Sequence, residues 1–273
     1  LLGIVVAEYL RADAAAVPIS ANDAVERRMG EGGVFLEKTK IGSPYVISAL
    51  DELRRAGTHA RIVGWEANGG FLTGSDIPLT AGTLIALPTR DSTLPIVANL
   101  FAAAEQHIGL AALWNRLPAR FGRAGLLDNV PVAVSQAILA HLIPPGDVIE
   151  VEFDGTERVF DRSRAGATPT PLAEPVTLDW QQRRLTLGRF FTPALGFDDI
   201  VRINVLDGVR LYFNNGDVAH VRPSGNAPQL RIYANSKSQL RADQIVELGL
   251  SERDGILRQL ERTFTQSTVT ASR

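Results

Sequence analysis

Cysteine is absent from this sequence, which excludes a disulfide framework and any thiolate metal site and suits a cytoplasmic protein. Histidine is scarce: His59, His107, His141 and His220 are the only four, and their spacing fits no zinc-binding pattern. Lysine is scarcer still. Of 28 basic residues only Lys38, Lys40 and Lys237 are lysine, so the other 25 are arginine, and only clustered ones among them point to function. A formal net charge of −2 offers no electrostatic case for nucleic acid or for an anionic membrane as partner. No apolar run reaches the roughly 20 residues of a membrane-spanning helix. The opening Leu1-Leu2-Gly3-Ile4 has neither a methionine nor a basic leader, and it reads as an internal start, not as a signal peptide.

What is present is a globular composition, 45% hydrophobic and 21% charged, over 273 residues, which is long enough for two cores. Residues 2–12 read as a short helix and 14–20 as a strand, with Ser20 or Asn22 placed to cap a following helix. A loop with Gly30, Gly32 and Gly33 comes next. Thr39-Lys40-Ile41-Gly42 then leads into an amphipathic helix from about Pro44 to Ala56, with Ile47, Leu50 and Leu53 on one face and Gly57 as its stop. The N–H groups of that helix point toward the loop that holds Lys40.

Residues 60–65 form a strand that runs into Glu66-Ala67-Asn68-Gly69-Gly70, and 83–87 form another that runs into Asp91. Asp91 stands where it can cap a long helix expected over 94–116, with Ile96, Val97, Leu100, Phe101, Ile108 and Leu113 as its apolar face. Leu142-Ile143-Pro144-Pro145-Gly146-Asp147 reads as the linker to a strand-rich half. There 148–153, 199–205, 209–213, 218–221 and 229–233 read as strands, with a hairpin turn at Asn214-Asn215-Gly216-Asp217. Helices over 241–248 and 251–264 follow, and Ser251-Glu252-Arg253-Asp254 has the form of a capping box for the second. The expected fold is a three-layer α/β domain followed by an α+β domain with a mainly antiparallel sheet.

The most telling stretch is Arg222-Pro223-Ser224-Gly225-Asn226-Ala227-Pro228-Gln229-Leu230-Arg231-Ile232, between two of those strands. On composition alone it is a polar loop bent by two prolines. Arginine forks, a serine hydroxyl and a glycine that lets backbone N–H groups approach are also what a phosphate needs. In its order it resembles the phosphate-binding loop of the α-D-phosphohexomutases, R-P-S-G-T-E-P-x-L-R-[VI]-Y. Asn226-Ala227 stand in place of Thr-Glu. In the same comparison Glu66-Ala67-Asn68-Gly69 resembles that family's sugar loop, with Glu66 on the glutamate and Asn68 on the serine. Gly70 falls where a histidine is frequent, so one sugar or phosphate contact is missing or supplied elsewhere. By spacing alone the Glu66 stretch is a turn and Asp91 a helix cap.

The resemblance covers nearly the whole chain but only the C-terminal half of a family member. It implies that residues 1–12 are a remnant of a metal-binding domain, 13–143 a sugar-binding domain and 147–273 a phosphate-binding domain. It implies a hexose phosphate substrate, interconverted between its 1- and 6-phosphates through a phosphoserine and a bisphosphorylated sugar. Arg222, Ser224, Gly225, Asn226 and Arg231 would bind phosphate, Glu66 and Asn68 the sugar, and Lys40 would be a candidate proton donor. The phosphoserine loop T-A-S-H-N-P and the magnesium loop D-G-D-x-D-R are not in the sequence. The resemblance therefore implies Mg2+ held by other domains of the same protein, and a chain inactive by itself. The other reading is a non-catalytic phosphosugar-binding or regulatory module.

Overall fold

A computed structural model of the protein describes residues 1–155, 158–225 and 227–270, with side chains described through residue 265. The chain divides into two compact units, Leu1–Arg120 and Phe121–Arg273.

The first unit runs α1 (Leu2–Tyr9), β1 (Ala14–Pro18), α2 (Ala24–Glu31), β2 (Phe35–Thr39), α3 (Ser43–Ala56), β3 (Ile62–Trp65), β4 (Phe71–Thr73), β5 (Ile77–Leu79), β6 (Gly82–Leu84), β7 (Leu87–Asp91), α4 (Thr93–Glu105) and α5 (Leu110–Trp114). Its main sheet has the order β2-β1-β3-β4-β7, and β5 pairs with β6 apart from it. β1 pairs parallel with both β2 and β3, whereas β4 runs antiparallel to β3 and to β7. Alternation along β1 divides the core in two. Ala14 and Ala16 face α3 with Val46 and Leu50, while Ala15 and Val17 face the layer of Ile4, Val25 and Ala98. That is the three-layer α/β arrangement expected.

Two details of this unit differ from expectation. Residues 1–12 are no remnant: Ile4, Val5 and Val6 of α1 are buried, and α1 packs on α4 inside the same core. The helix expected over 94–116 breaks after Glu105, where His107 takes a left-handed φ of 53° before α5 begins. The packing face of α4 is also not the one expected. Ala98, Ala102 and Ala103 are buried, while Ile96, Val97, Leu100 and Phe101 are exposed. Small side chains let α4 approach α1 closely, so the alanines face inward and the bulkier residues outward.

The second unit runs β8 (Phe121–Asp128), α6 (Val132–Leu142), β9 (Glu150–Phe153), β10 (Val159–Asp161), β11 (Thr170–Pro171), α7 (Val176–Gly188), a 3-10 turn (Pro193–Leu195), β12 (Ile200–Asn204), β13 (Val209–Phe213), β14 (Val218–Pro223), β15 (Gln229–Ser236), α8 (Gln239–Leu250) and α9 (Ile256–Thr270). One sheet, ordered β11-β10-β9-β12-β13-β14-β15-β8, is antiparallel at every pairing. One of its faces buries Val151, Ile203, Leu211, Val221, Leu230 and Ile232 under residues of the helices, among them Ile138, Trp180, Ile245 and Leu260.

The boundary between units therefore lies at Arg120/Phe121 and not at 142–147. β8 pairs with β15 over its whole length, from Gln229↔Asp128 to Ser236↔Phe121, and α6 packs against α9. The proline-rich stretch Leu142–Asp147 is a connection inside this unit. The Ser251 turn does not cap α9 either. That helix begins five residues later, after Ser251 O has accepted a bond from Gly255 N.

Candidate functional site

The parallel strands of the first unit bring several expected residues to one edge. β1, β2 and β3 end there at Pro18, Thr39 and Trp65, β4 begins there at Phe71, and β7 ends there at Asp91, opposite Phe71. Loops at the C-terminal ends of parallel strands are where open α/β sheets bind ligands. Lys40 leaves β2 at this edge and is exposed, whereas Lys38 is paired with Glu26 at 2.8 Å. Gly42, with φ 132°, starts α3 just after Lys40. Strands two apart in the sheet put the Lys40 and Glu66 loops about 10 Å from each other.

The Glu66 loop is the turn of the β3–β4 hairpin. Glu66 N donates to Gly70 O at 2.9 Å, and Gly69 N donates to Glu66 O at 3.1 Å with Gly69 in the left-handed region. Asn68 Oδ1 accepts from Gly70 N at 3.0 Å, so the amide oxygen is already used by the turn and its NH2 is the end turned to solvent. Glu66 differs. Its Oε1 is buried and has no hydrogen-bond partner among the described residues, with Arg90 Nε 3.9 Å away. A cavity of about 180 Å³ adjoins it, lined by Leu2, Val25, Trp65, Ala67 and Pro95 among others. Asp91 caps α4, its carboxylate accepting from Thr93 N at 2.7 Å and Leu94 N at 3.3 Å.

In the second unit the arginine loop joins β14 to β15. Arg222 and Arg231 lie directly opposite each other in the register, followed by the pair Pro223↔Leu230. Directly opposed side chains have their β-carbons about 5 Å apart, and like charges there repel. Arg222 Nε donates to Asp207 Oδ1 at 2.8 Å. Arg231 Nη2 donates to Gln229 Oε1 at 3.3 Å, and Gln229 Nε2 in turn donates to Asp128 Oδ1 at 2.8 Å. Arg231 Nε is buried and has no hydrogen-bond partner among the described residues. Ser224 is buried, and its N–H closes the loop by donating to Gln229 O at 2.8 Å, which leaves its hydroxyl as the group it can offer a ligand. Gly225 is exposed at the tip. Asn226, the remaining expected phosphate residue, lies outside the described residues.

Behind this pair sits machinery that sequence reading passed over. Alternation along β14 puts His220 and Arg222 on the same face, and both converge on the Asp207-Gly208 turn. His220 Nε2 is 2.7 Å from Asp207 O, and because a carbonyl only accepts, Nε2 carries the proton. Full burial, and then the nearby charge of Arg210, push the pKa of this imidazole down to about 3, so the ring is neutral at pH 7. Gly208 has φ 89°, and a β-carbon on it would stand 2.4 Å from Val221 O and 3.0 Å from Arg222 Cα. The turn therefore lies tightly against β14 and holds its carboxylate against Arg222. Asp-Gly ahead of a strand with a His-x-Arg step was the available signal, and a turn pair read in isolation does not reveal it.

Among the described residues no group of three or more histidine, aspartate or glutamate side chains gathers to hold a metal ion. Residues 1–121 match the family described as phosphoglucomutase/phosphomannomutase, alpha/beta/alpha domain III, and residues 170–248 match phosphoglucomutase/phosphomannomutase, C-terminal domain. The chain is 34% identical over 255 residues to a phosphomannomutase of Salmonella muenchen, covering 92% of this chain and 43% of the relative. It is 33% identical over 253 residues to a phosphomannomutase of Sinorhizobium fredii, covering 92% and 44%. The chain thus spans less than half the length of the curated relatives it matches. Among solved structures, a phosphoglucomutase/phosphomannomutase family protein from Burkholderia thailandensis shares the fold with a TM-score of 0.52 at 15% identity, over 97% of this chain and 41% of that one.

Proposed function

Because the chain belongs to the α-D-phosphohexomutase family, we propose that it forms the sugar- and phosphate-binding half of a phosphohexomutase of the phosphomannomutase type. The observation that carries this reading is the opposed pair Arg222 and Arg231, one of them with a buried Nε that has no partner among the described residues. Two like charges side by side, each backed by a carboxylate or an amide, are a costly arrangement that an anion between them relieves.

In this reading a hexose phosphate places its non-reacting phosphate on Arg222, Arg231, the Ser224 hydroxyl and the Gly225 backbone. Asn226 joins them by resemblance. Glu66 accepts from a sugar hydroxyl and the Asn68 amide donates to one. Lys40 is the candidate proton donor near the reacting phosphate. Positioning and charge stabilisation of this kind supply most of the catalysis in phosphoryl transfer. The complete enzyme would exchange 1- and 6-phosphates through a phosphoserine and a bisphosphorylated sugar, with Mg2+ neutralising charge on the transferring group. Nucleophile and metal ligands would come from other domains of the same protein, in the cytoplasm.

The test is an NMR titration of the chain with mannose 1-phosphate, glucose 6-phosphate and inorganic phosphate. Larger shifts with the sugar phosphates, at both the Glu66 and Arg222 loops, are expected. Arg222→Ala should weaken them by about tenfold or more, the worth of a charge-assisted contact. Shifts that ignore the sugar would leave only an anion loop. Isomerisation of a hexose phosphate by the complete protein separates an enzyme from a binding module.

A further inference from the structure

Gly70 closes the Glu66 turn and is buried, and a β-carbon built on it would lie 2.8, 2.9 and 3.1 Å from Cγ, Cδ and Cβ of Arg90. The stem of Arg90 therefore lies across the bare glycine, in the room that any side chain at position 70 would need. Its side chain is still 57% exposed, and its Nε is 3.9 Å from the unpartnered Oε1 of Glu66. That separation is too long for a hydrogen bond. A single oxygen could bond to both atoms once the exposed Arg90 side chain turns outward and uncovers the buried Oε1. A hydroxyl fills that position with the right polarity at each end, because it accepts from the guanidinium and donates to the carboxylate. A phosphate oxygen does not, because it can only accept and would meet the charge of Glu66.

We infer that Arg90 and Glu66 together grip one hydroxyl of the sugar, and that Arg90 supplies from β7 the contact for which Gly70 has no side chain. This rests on the sugar-binding role proposed for the Glu66 turn. It adds a specificity-determining residue on a different strand, and a reason for the glycine: Gly70 makes room for the arginine stem.

The experiment is calorimetric titration of the whole 273-residue chain with glucose 1-phosphate, mannose 1-phosphate and inorganic phosphate. Arg90→Ala should weaken both hexose phosphates about tenfold and leave inorganic phosphate unchanged. Because Arg90 lies in the first unit and the arginine hairpin in the second, folding of the variant is checked separately by its circular dichroism and unfolding midpoint. Gly70→Ala, which displaces the arginine stem without removing its charge, should reproduce the loss if Arg90→Ala proves unstable, and Arg90→Lys should recover only part of it. An Arg90→Ala chain that keeps the wild-type preference for hexose phosphate over phosphate overturns the inference. If Glu66→Gln abolishes that preference while Arg90→Ala keeps it, the sugar role of the turn stands and only the role of Arg90 falls. A wild-type chain with no such preference overturns both.

Discussion

The Glu66 turn and the Arg222 hairpin are both reversals at the ends of strands, and they leave opposite things for a ligand. In the Glu66 turn most polar groups satisfy one another: the backbone bonds between Glu66 and Gly70 close it, and Asn68 Oδ1 is taken by Gly70 N. What it leaves is one carboxylate oxygen, a side-chain NH2 and a neighbouring arginine, a set suited to neutral hydroxyls. In the Arg222 hairpin two cations oppose each other, and their supports stand behind them, Asp207 for Arg222 and Gln229 with Asp128 for Arg231. That loop gathers positive charge and is suited to a dianion. Selecting a hydroxyl requires little charge and close placement of donor and acceptor, whereas holding a phosphate requires like charges brought together and braced from behind.

The bracing can be tested by comparing two glycines with nearly the same positive φ. Gly208 and Gly69 have φ of 89° and 93°, but a β-carbon on Gly208 meets Val221 O at 2.4 Å, while one on Gly69 meets nothing within 4 Å. Gly208→Ala is expected to cost about 3–4 kcal/mol by strain and clash together, and Gly69→Ala about 1–2 kcal/mol by strain alone. Denaturant unfolding of the two variants checks the difference, and equal losses would mean that the Asp207 turn is not pressed against β14.

A smaller effect comes from His220, which is flanked by Arg210, Arg222, Asp207 and the Tyr233 ring. Its folded pKa of about 3 lies below the ordinary 6.5, so below pH 6.5 the unfolded chain binds a proton that the folded chain does not. Stability from this group is fully present above pH 6.5 and is lost as pH falls toward 3, by up to about 1.4 kcal/mol per pH unit. His220→Gln, which keeps a donor for Asp207 O, should flatten the fall in stability between pH 6.5 and 5, before most carboxylates titrate. An unchanged slope would contradict a neutral buried imidazole.

The strands that carry the arginine hairpin were legible because 218–221 and 229–233 are short runs bounded by turn-forming stretches, the Asn214–Asp217 turn before the first and the proline-bent loop between them. β8 was not. Phe121-Gly-Arg-Ala-Gly-Leu-Leu-Asp128 holds two glycines and an alanine, and its pairing is fixed by β15 and by α8, whose Val246 and Leu250 crowd Gly125. Tertiary pairing overrode local propensity there and moved the domain boundary with it. The face of α4 was misread because large apolar residues signal burial in a sequence, whereas close helix packing selected alanines. In the two candidate loops, Glu66 and Asn68 in one and Arg222 and Arg231 in the other could be proposed from their order in the chain. The partners that set their geometry, Arg90, Asp207 and His220, come from other strands and turns, and only the folded register brings them together.

The central claim is that Arg222 and Arg231 form a phosphate site, and the most direct measurement is thermal unfolding of wild type and Arg222→Ala in phosphate and in chloride at matched pH and ionic strength. A ligand at about ten times its dissociation constant stabilises the form that binds it by about 1.4 kcal/mol. The account predicts that phosphate raises the wild-type unfolding midpoint and that most of this increment disappears in Arg222→Ala. Equal increments in the two proteins would contradict it.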